Sequence, residues 1–143
     1  MKRAISYLRG NRVFTHASSK TTSGVWVLEP PASVAEVSDQ KLLGQQVMQA
    51  LDASRAGIPH PTSWRGIFDP ILQLAGVKSW STFVKSARCV EIELEAERLA
   101  YLATENLGAE GGFNTIERME VISALTDTQA LGANLLAAFE ESK

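Results

Sequence analysis

Hydrophobic and polar positions follow two different periods along the chain, and each period predicts a type of element. A period of two, with β-branched and aromatic residues, predicts strands at residues 4–8, 12–17, 24–28, 90–97, 98–104 and 119–125. A period near 3.6 predicts two long helices, which begin at Ser38-Asp39 and Thr126-Asp127 and end near Arg55 and Lys143.

Turn and cap residues between these segments mark their ends. Gly76 closes a short predicted helix at residues 68–75, and the Ser79 hydroxyl can cap the next helix by accepting a first-turn N–H. Pro30-Pro31 is predicted to end the third strand, since proline cannot donate to a strand ladder. Loops are predicted at residues 18–23, 57–61 and 105–115.

The two long predicted helices repeat each other in sequence. Aspartate, Leu-Gly, alanine and serine recur in register, with Leu43-Gly44 in the first helix and Leu131-Gly132 in the second. Glycine inside a helix costs about 1 kcal/mol relative to alanine, so Gly44 predicts a close approach to another backbone. Because each helix follows a run of strands, the repeat indicates a duplicated β-β-β-α unit. Two amphipathic helices that converged on similar residues are the alternative.

The order of these elements predicts the fold class. Runs of strands that are each followed by one helix indicate an α+β fold rather than alternating βαβα units. We expect one mainly antiparallel sheet of about six strands with helices packed on one face, the other face being partly open to a partner. At 143 residues, the chain is predicted to form a single domain, residues 1–143, with a substantial core.

Composition and charge exclude several classes of protein. Apolar residues make up 45% and charged residues 21% of the chain, as in ordinary globular proteins and unlike disordered ones. The net charge of −2 gives no overall basic surface for nucleic acid or an anionic membrane. The single cysteine, Cys89, precludes an internal disulfide and fits a reducing compartment. Because we find neither a signal peptide nor an apolar run of roughly 20 residues, we expect a cytoplasmic location.

Residue types that usually carry catalysis are sparse. His16 and His60 are the only histidines, and no H-x-x-x-H or C-x-x-C spacing that suits a metal is present. Cys89 has no histidine nearby in sequence to activate it, so we predict a structural thiol. The glycine-rich segment 108–112 lacks the GK[ST] ending of a phosphate-binding loop. We therefore predict no catalytic residue, no metal site and no cofactor.

Four glutamates form the most informative polar pattern. They alternate with apolar residues and would line one face of a strand: Glu91, Glu93, Glu95 and Glu97. A solvated strand face is the simplest explanation. Like charges along one face repel each other, however, and the following strand offers no lysine to compensate them. The acidic face is therefore predicted to lack internal partners and to complement a basic surface on another molecule.

The tryptophans divide into two groups. Trp26 and Trp80 fall on apolar faces and are predicted to be buried. Trp64 lies in a loop beside Arg65, and both residue types are enriched in interface hot spots. Trp64 is therefore a candidate contact residue.

The central segment, Gly76-Val77-Lys78-Ser79-Trp80-x-x-Phe83, resembles a motif of the immunity proteins of bacterial contact-dependent growth inhibition systems. Flanking matches extend the resemblance from Val25 to Phe139, in order: Leu43-Gly44, Arg55-x-Gly57-x-Pro59, Asn106-x-Gly108, Gly112-Phe113 and Leu131-Gly132. The central motif itself is predicted to be structural, with a glycine stop, a serine cap and two buried aromatic residues.

The resemblance implies a protein without enzymatic activity, which binds the C-terminal toxin domain of an exoprotein delivered by a neighbouring cell. Such a protein covers the active site of the toxin or blocks a surface that the toxin needs. Many toxin nucleases are basic because they bind phosphate backbones. We therefore hypothesise an acidic toxin-binding surface made of Glu91, Glu93, Glu95, Glu97, Glu105 and Glu110.

Two alternatives belong to other functional classes. A small-ligand or assembly-subunit binding module would use the open sheet face, and a stable homo-oligomer that ignores toxins would favour it. A small metal-dependent hydrolase would use glutamate and histidine residues, and metal-dependent activity lost on changing His16, His60 or a glutamate of the acidic strand would favour it.

Overall fold

The computed structural model describes residues 1–122 and 125–143. In chain order its elements are β1 (Lys2–Arg9), β2 (Arg12–Thr21), β3 (Trp26–Glu36), α1 (Gln40–Ala53), β4 (Ala56–Ile58), α2 (Asp69–Ala75), α3 (Trp80–Val84), β5 (Ala87–Glu95), β6 (Arg98–Asn106), α4 (Gly108–Gly111), β7 (Phe113–Val121) and α5 (Thr128–Glu141). The strands form one seven-stranded sheet in the order β3-β2-β1-β5-β6-β7, with β4 beside the C-terminal end of β2. The described ladders are antiparallel except β2–β4, which confirms the predicted α+β fold.

The strand order repeats in two halves. Within each half, two strands form a hairpin with a two-residue turn, Gly10-Asn11 in the first and Ala96-Glu97 in the second. The third strand of each half lies at an outer edge, and a long helix follows it. The halves meet at the antiparallel pair β1–β5 in the middle of the sheet. This is the arrangement that the repeated Leu-Gly sequences predict for a β-β-β-α unit used twice.

The two long helices begin where the sequence predicts, because a side chain caps each one. Asp39 accepts a hydrogen bond from the backbone N–H of Leu42 at 3.2 Å, and Asp127 accepts one from Ala130 at 3.0 Å. Each aspartate thereby satisfies one of the free N–H groups in the first turn.

Helices α1 and α5 pack on one face of the sheet and cross each other at their glycines. A Cβ added to Gly44 would lie 1.7 Å from the backbone oxygen of Thr128, and one added to Gly132 would lie 1.9 Å from the backbone oxygen of Gln40. The predicted close approach at Gly44 is therefore confirmed, and it is reciprocal. The core beneath the helices includes Leu43, Val47, Ile92, Tyr101, Leu131 and Leu135.

The second sheet face is partly covered by the short helices α2 and α3. Neighbouring residues of β1 show the division, since Ala4 belongs to the core under the long helices and Ile5 packs on the cluster under the short ones. That second cluster is centred on Tyr7, Phe14 and Phe83. The expectation of helices on one face thus holds for the long helices only. The short helices leave part of the second face open.

The extents of several strands differ from the sequence prediction. β2 continues through the predicted loop to Thr21, and Ser18, Ser19 and Thr21 are buried. The last predicted strand, 119–125, is shifted, because β7 occupies Phe113–Val121 and begins inside the predicted glycine-rich loop. Of the predicted strand, residues 123 and 124 lie outside the described residues. Pairing with β6 sets the position of β7, and that information is not local in the sequence.

The prediction that Pro30-Pro31 ends the third strand is wrong. β3 passes through both prolines because it is the edge strand and because its register shifts there: Ala17 pairs with Glu29, whereas His16 pairs with Ala32. The prolines thus occupy a bulge, where the missing N–H groups interrupt no ladder bond. Within the described ranges, no helix combines the length and hydrophobicity that crossing a bilayer requires.

Candidate functional site

The predicted acidic strand forms, but its first two glutamates have internal partners. Val90 and Ile92 point into the core, whereas Glu91 and Glu93 lie on the opposite face with side chains only 17% exposed. Arg3 of β1 bonds to Glu91 at 2.5 Å. The prediction of a face without internal partners is therefore wrong for these residues.

The second of these ion pairs also comes from a strand that is distant in sequence. Arg118 of β7 donates to Glu93 at 3.1 Å and to Glu120 at 3.2 Å. β6, the strand that follows β5 in sequence, supplies no partner to either glutamate. The arginines come from β1 and β7, which only the sheet order brings near.

The other four predicted contact residues lie at two opposite ends of the β5–β6 hairpin, Glu95 and Glu97 at the turn, and Glu105 and Glu110 at the far end of β6. Glu95 is the last residue of β5 and is exposed. Glu97 is exposed but lies in the turn after β5 with φ of 68°, so its predicted position in the strand is wrong. Glu105 is half-buried in β6, and Glu110 is exposed on the single turn α4.

The loop that carries Glu110 is held by Asn106, a residue of the resemblance motif. Its side-chain amide donates to the backbone oxygens of Val84 and Ala87 at 2.7 and 2.8 Å, and its side-chain oxygen accepts from Gly108 at 2.8 Å. The Asn106-x-Gly108 motif thus connects the end of α3, the start of β5 and the loop. We infer a structural role for it.

A cavity of about 410 Å³ opens on the second sheet face beside Glu91. All three tryptophans of the chain line it. We call it the aromatic cavity, defined by the rings of Tyr7, Trp26, Trp64, Phe68, Trp80 and Phe113. These rings come from β1, β3, the segment before α2, α3 and β7, so only the folded chain assembles them.

The walls of the aromatic cavity are ordered by ring contacts. The rings of Phe68 and Trp80 stack with centroids 3.9 Å apart and an interplanar angle of 9°. Tyr7 meets Trp80 edge-on at 5.6 Å. Such stacked and edge-on pairs stabilise each other beyond the area that they bury.

Two of the tryptophans are less buried than predicted. Trp26 and Trp80 are half-buried in the wall of the aromatic cavity, whereas Phe83 of the same central motif is fully buried. Trp64 is 52% exposed, which confirms its predicted exposure, and its ring lies edge-on to His60 at 5.6 Å. The exposed faces of these rings belong to the cavity rather than to the core.

Polar groups at the floor of the cavity are few and are mostly paired. Arg3 lies over the ring of Trp26, with its guanidinium carbon 5.5 Å from the centroid, and bonds to Glu91. The Nε–H of Arg3 is buried and has no hydrogen-bond acceptor among the described residues. One donor on a residue that lines the cavity is therefore unsatisfied among the described residues.

His16 and Tyr7 form a second polar pair in the wall. His16 Nδ1 lies 2.7 Å from the backbone oxygen of Ala17, so Nδ1 carries the proton and Nε2 accepts from the Tyr7 hydroxyl at 3.4 Å. Burial lowers the pKa of His16 to about 4, and the hydrogen bond to Ala17 opposes this shift. Burial also raises the pKa of Tyr7. Both groups are therefore neutral at pH 7.

We expect His16 to make the folded state sensitive to acid. Its pKa is about 4 when folded and about 6.5 when unfolded, so protonation favours the unfolded state as the pH falls between these values. The contribution of neutral His16 to the free energy of unfolding is complete above pH 6.5, and about 3 kcal/mol of it is lost by pH 4. Urea unfolding of the wild type and His16→Gln, at a series of pH values from 7 to 4, measures how steeply the free energy of unfolding of each protein falls with pH. A slope in His16→Gln equal to that of the wild type would contradict the assignment.

The cysteine behaves as the sequence predicts. Cys89 is buried in β5, and burial raises the pKa of its thiol. Among residues 1–122 and 125–143, no three His, Cys, Asp or Glu side chains lie close enough together to hold a metal ion.

No family model matches the chain, and no curated protein matches it. Two of the solved structures that match it do so over nearly its whole length. One is a protein of unknown function, NMB0488, from Neisseria meningitidis, with a TM-score of 0.79, 19% identity and coverage of 99% of this chain and 95% of that one.

The other is a chain of the CdiA-CT/CdiI toxin and immunity complex from Yersinia pseudotuberculosis. It matches with a TM-score of 0.76 and 15% identity, over 99% of this chain and 97% of that chain. The resemblance to contact-dependent growth inhibition immunity proteins is therefore confirmed at the level of the fold.

Proposed function

We propose that this protein is an immunity protein that binds and neutralises the C-terminal toxin domain of a contact-dependent growth inhibition exoprotein. The observation that carries the proposal is the near-complete fold match to a chain of a toxin and immunity complex. The central motif from Gly76 to Phe83 supports it independently, because it was identified from sequence. In this role the protein acts by binding in the cytoplasm and catalyses no reaction.

The proposed contact surface is the acidic end of the sheet. Glu95 and Glu97 are exposed there, at the β5–β6 turn, whereas the half-buried Glu105 and the exposed Glu110 lie at the opposite end of β6 and are not part of this surface. Glu91 and Glu93 are bonded to arginines, so their charges are largely compensated and we assign them a smaller share of the attraction. An acidic surface would complement the basic surface of a toxin nuclease that binds phosphate backbones.

Speed and persistence are the physical requirements of this function. A cell that receives the toxin is protected only if the inhibitor captures it before damage accumulates and then holds it. Charge steering raises association rates, whereas buried contacts lower dissociation rates. Trp64, which is 52% exposed beside the cavity, is the proposed apolar contact at the centre of the interface.

The test uses the toxin domain of an exoprotein encoded beside the gene for this chain. Co-expression of the full-length chain with that domain should restore growth, and the purified proteins should form an equimolar complex by size-exclusion chromatography with light scattering. The toxin domain of the Yersinia pseudotuberculosis complex is the control, because an immunity protein selects one toxin over another through specific contacts. Absence of both the complex and growth rescue with the adjacent toxin would overturn the proposal.

A further inference from the structure

We propose that the aromatic cavity is a binding site for a small, planar, uncharged heteroaromatic molecule that carries a hydrogen-bond acceptor such as a carbonyl oxygen. This inference concerns a ligand of the protein itself and does not depend on the proposed toxin. It rests on the volume of the cavity, the rings in its walls and the state of Arg3.

The volume suits a small molecule. Ligand pockets in proteins usually enclose roughly 300–1,000 Å³ and combine apolar walls with a few polar groups. The aromatic cavity, at about 410 Å³, falls in this range and has both features. It is large enough for a bicyclic ring system with a substituent.

The walls favour a flat ligand. The Phe68–Trp80 stack and the ring of Trp26 contribute to the lining, and Ile5 adds an aliphatic surface. A planar π-system gains from offset stacking and edge contacts with such rings, whereas a bulky aliphatic group of equal volume does not.

The electrostatics favour a neutral ligand with an acceptor. The charge of Arg3 is compensated by Glu91 at 2.5 Å, so an ionic ligand would enter the cavity without a counter-ion, which is unfavourable in an apolar site. The buried Nε–H of Arg3 still has no acceptor among the described residues. An acceptor on the ligand would satisfy this donor, and a ligand without one would leave it unsatisfied.

The test compares oxindole with indole, two bicyclic molecules of nearly equal size of which only oxindole has a carbonyl acceptor. Binding to the full-length, ¹⁵N-labelled chain is followed by NMR through the indole N–H signals of Trp26, Trp64 and Trp80, which all line the cavity. We expect oxindole to shift these signals saturably with a Kd on the order of 1 mM or tighter. Indole should bind at least roughly fivefold more weakly, because it cannot accept from Arg3.

Two variants and one control locate the site. Ile5→Phe places a ring in the cavity and should weaken oxindole binding by about tenfold, whereas Leu74→Phe adds a ring at an exposed position outside it and should have no effect. Arg3→Lys keeps a positive charge for Glu91 but lacks the Nε–H, so it should abolish the preference for oxindole. Thermal unfolding verifies that each variant is folded.

Three outcomes would overturn the inference. They are the absence of saturable shifts with oxindole in the wild type, equal loss of binding in Leu74→Phe and Ile5→Phe, and a preference for oxindole that persists in Arg3→Lys. Because Arg3→Lys removes the Nε–H donor and adds no group to the cavity, it tests the inference even where Ile5→Phe fails to fold.

Discussion

Replacing Gly44 by alanine is expected to destabilise the protein by about 3 kcal/mol, although alanine is the better helix former. The added Cβ would lie 1.7 Å from the backbone oxygen of Thr128, and a backbone atom cannot rotate away as a flexible side chain can. Helices α1 and α5 would have to separate, which removes packing around Leu43 and Leu131. The local propensity favours alanine by about 1 kcal/mol, so the tertiary clash decides the sign.

Thermal unfolding measures this effect, and a loss of about 3 kcal/mol corresponds to a decrease in Tm of roughly 10 °C for a chain of this length. Gly132→Ala should behave alike, because its Cβ would lie 1.9 Å from the backbone oxygen of Gln40. The double variant should lose less than the sum, since one helix separation relieves both clashes. Gln49→Ala, at an exposed position of α1, is the control and should stay within about 0.5 kcal/mol of wild type. A Tm of Gly44→Ala equal to that of the control would refute the account of the crossing.

Reversing the charges of Glu95 and Glu97 together is expected to slow toxin association by about tenfold at low salt. Both side chains are exposed at the proposed acidic surface, so their substitution by lysine changes the electrostatic field and leaves the core intact. The effect should shrink as salt is added, because screening shortens the range of exposed charges to about 10 Å at 0.1 M. Stopped-flow association with the adjacent toxin domain, together with growth protection, measures the change.

A matched control separates local steering from net charge. Glu140→Lys with Glu141→Lys changes the net charge equally, but these residues lie exposed at the end of α5, near the far end of β6 from Glu95 and Glu97. The control should retain the wild-type association rate to within about twofold, because an exposed charge acts mainly within a Debye length. An unchanged rate in Glu95→Lys/Glu97→Lys, or an equal decrease in both double variants, would remove the acidic end from the interface.

The local sequence was sufficient to predict a feature wherever the contact that stabilises this feature joins residues only a few positions apart. The caps at Asp39, Ser79 and Asp127 each bind a backbone N–H three residues ahead, so the beginnings of three helices could be predicted. The alternation of Val90 and Glu91 predicted the two faces of β5 for the same reason. Gly44 was informative because its local cost indicates a compensating contact, although its partner could not be named.

The extents of the strands and the composition of the candidate site required the tertiary structure. Arg3 and Glu91 are 88 residues apart, so whether the acidic strand is compensated depends on which strands become neighbours. β3 passes through its prolines because it lies at the edge of the sheet, which no local pattern specifies.

The sequence by itself determined α1, α2, α3 and α5, the two faces of the central strand and the resemblance of Gly76–Phe83 to a toxin-immunity family. The tertiary structure alone decided which charges are paired and that Trp26, Trp64 and Trp80 meet around one cavity. The physical reason is the separation along the sequence of the residues that interact. Caps and periodicity act over a single helical turn or strand, whereas ion pairs and cavities form between segments that only the packed sheet brings together.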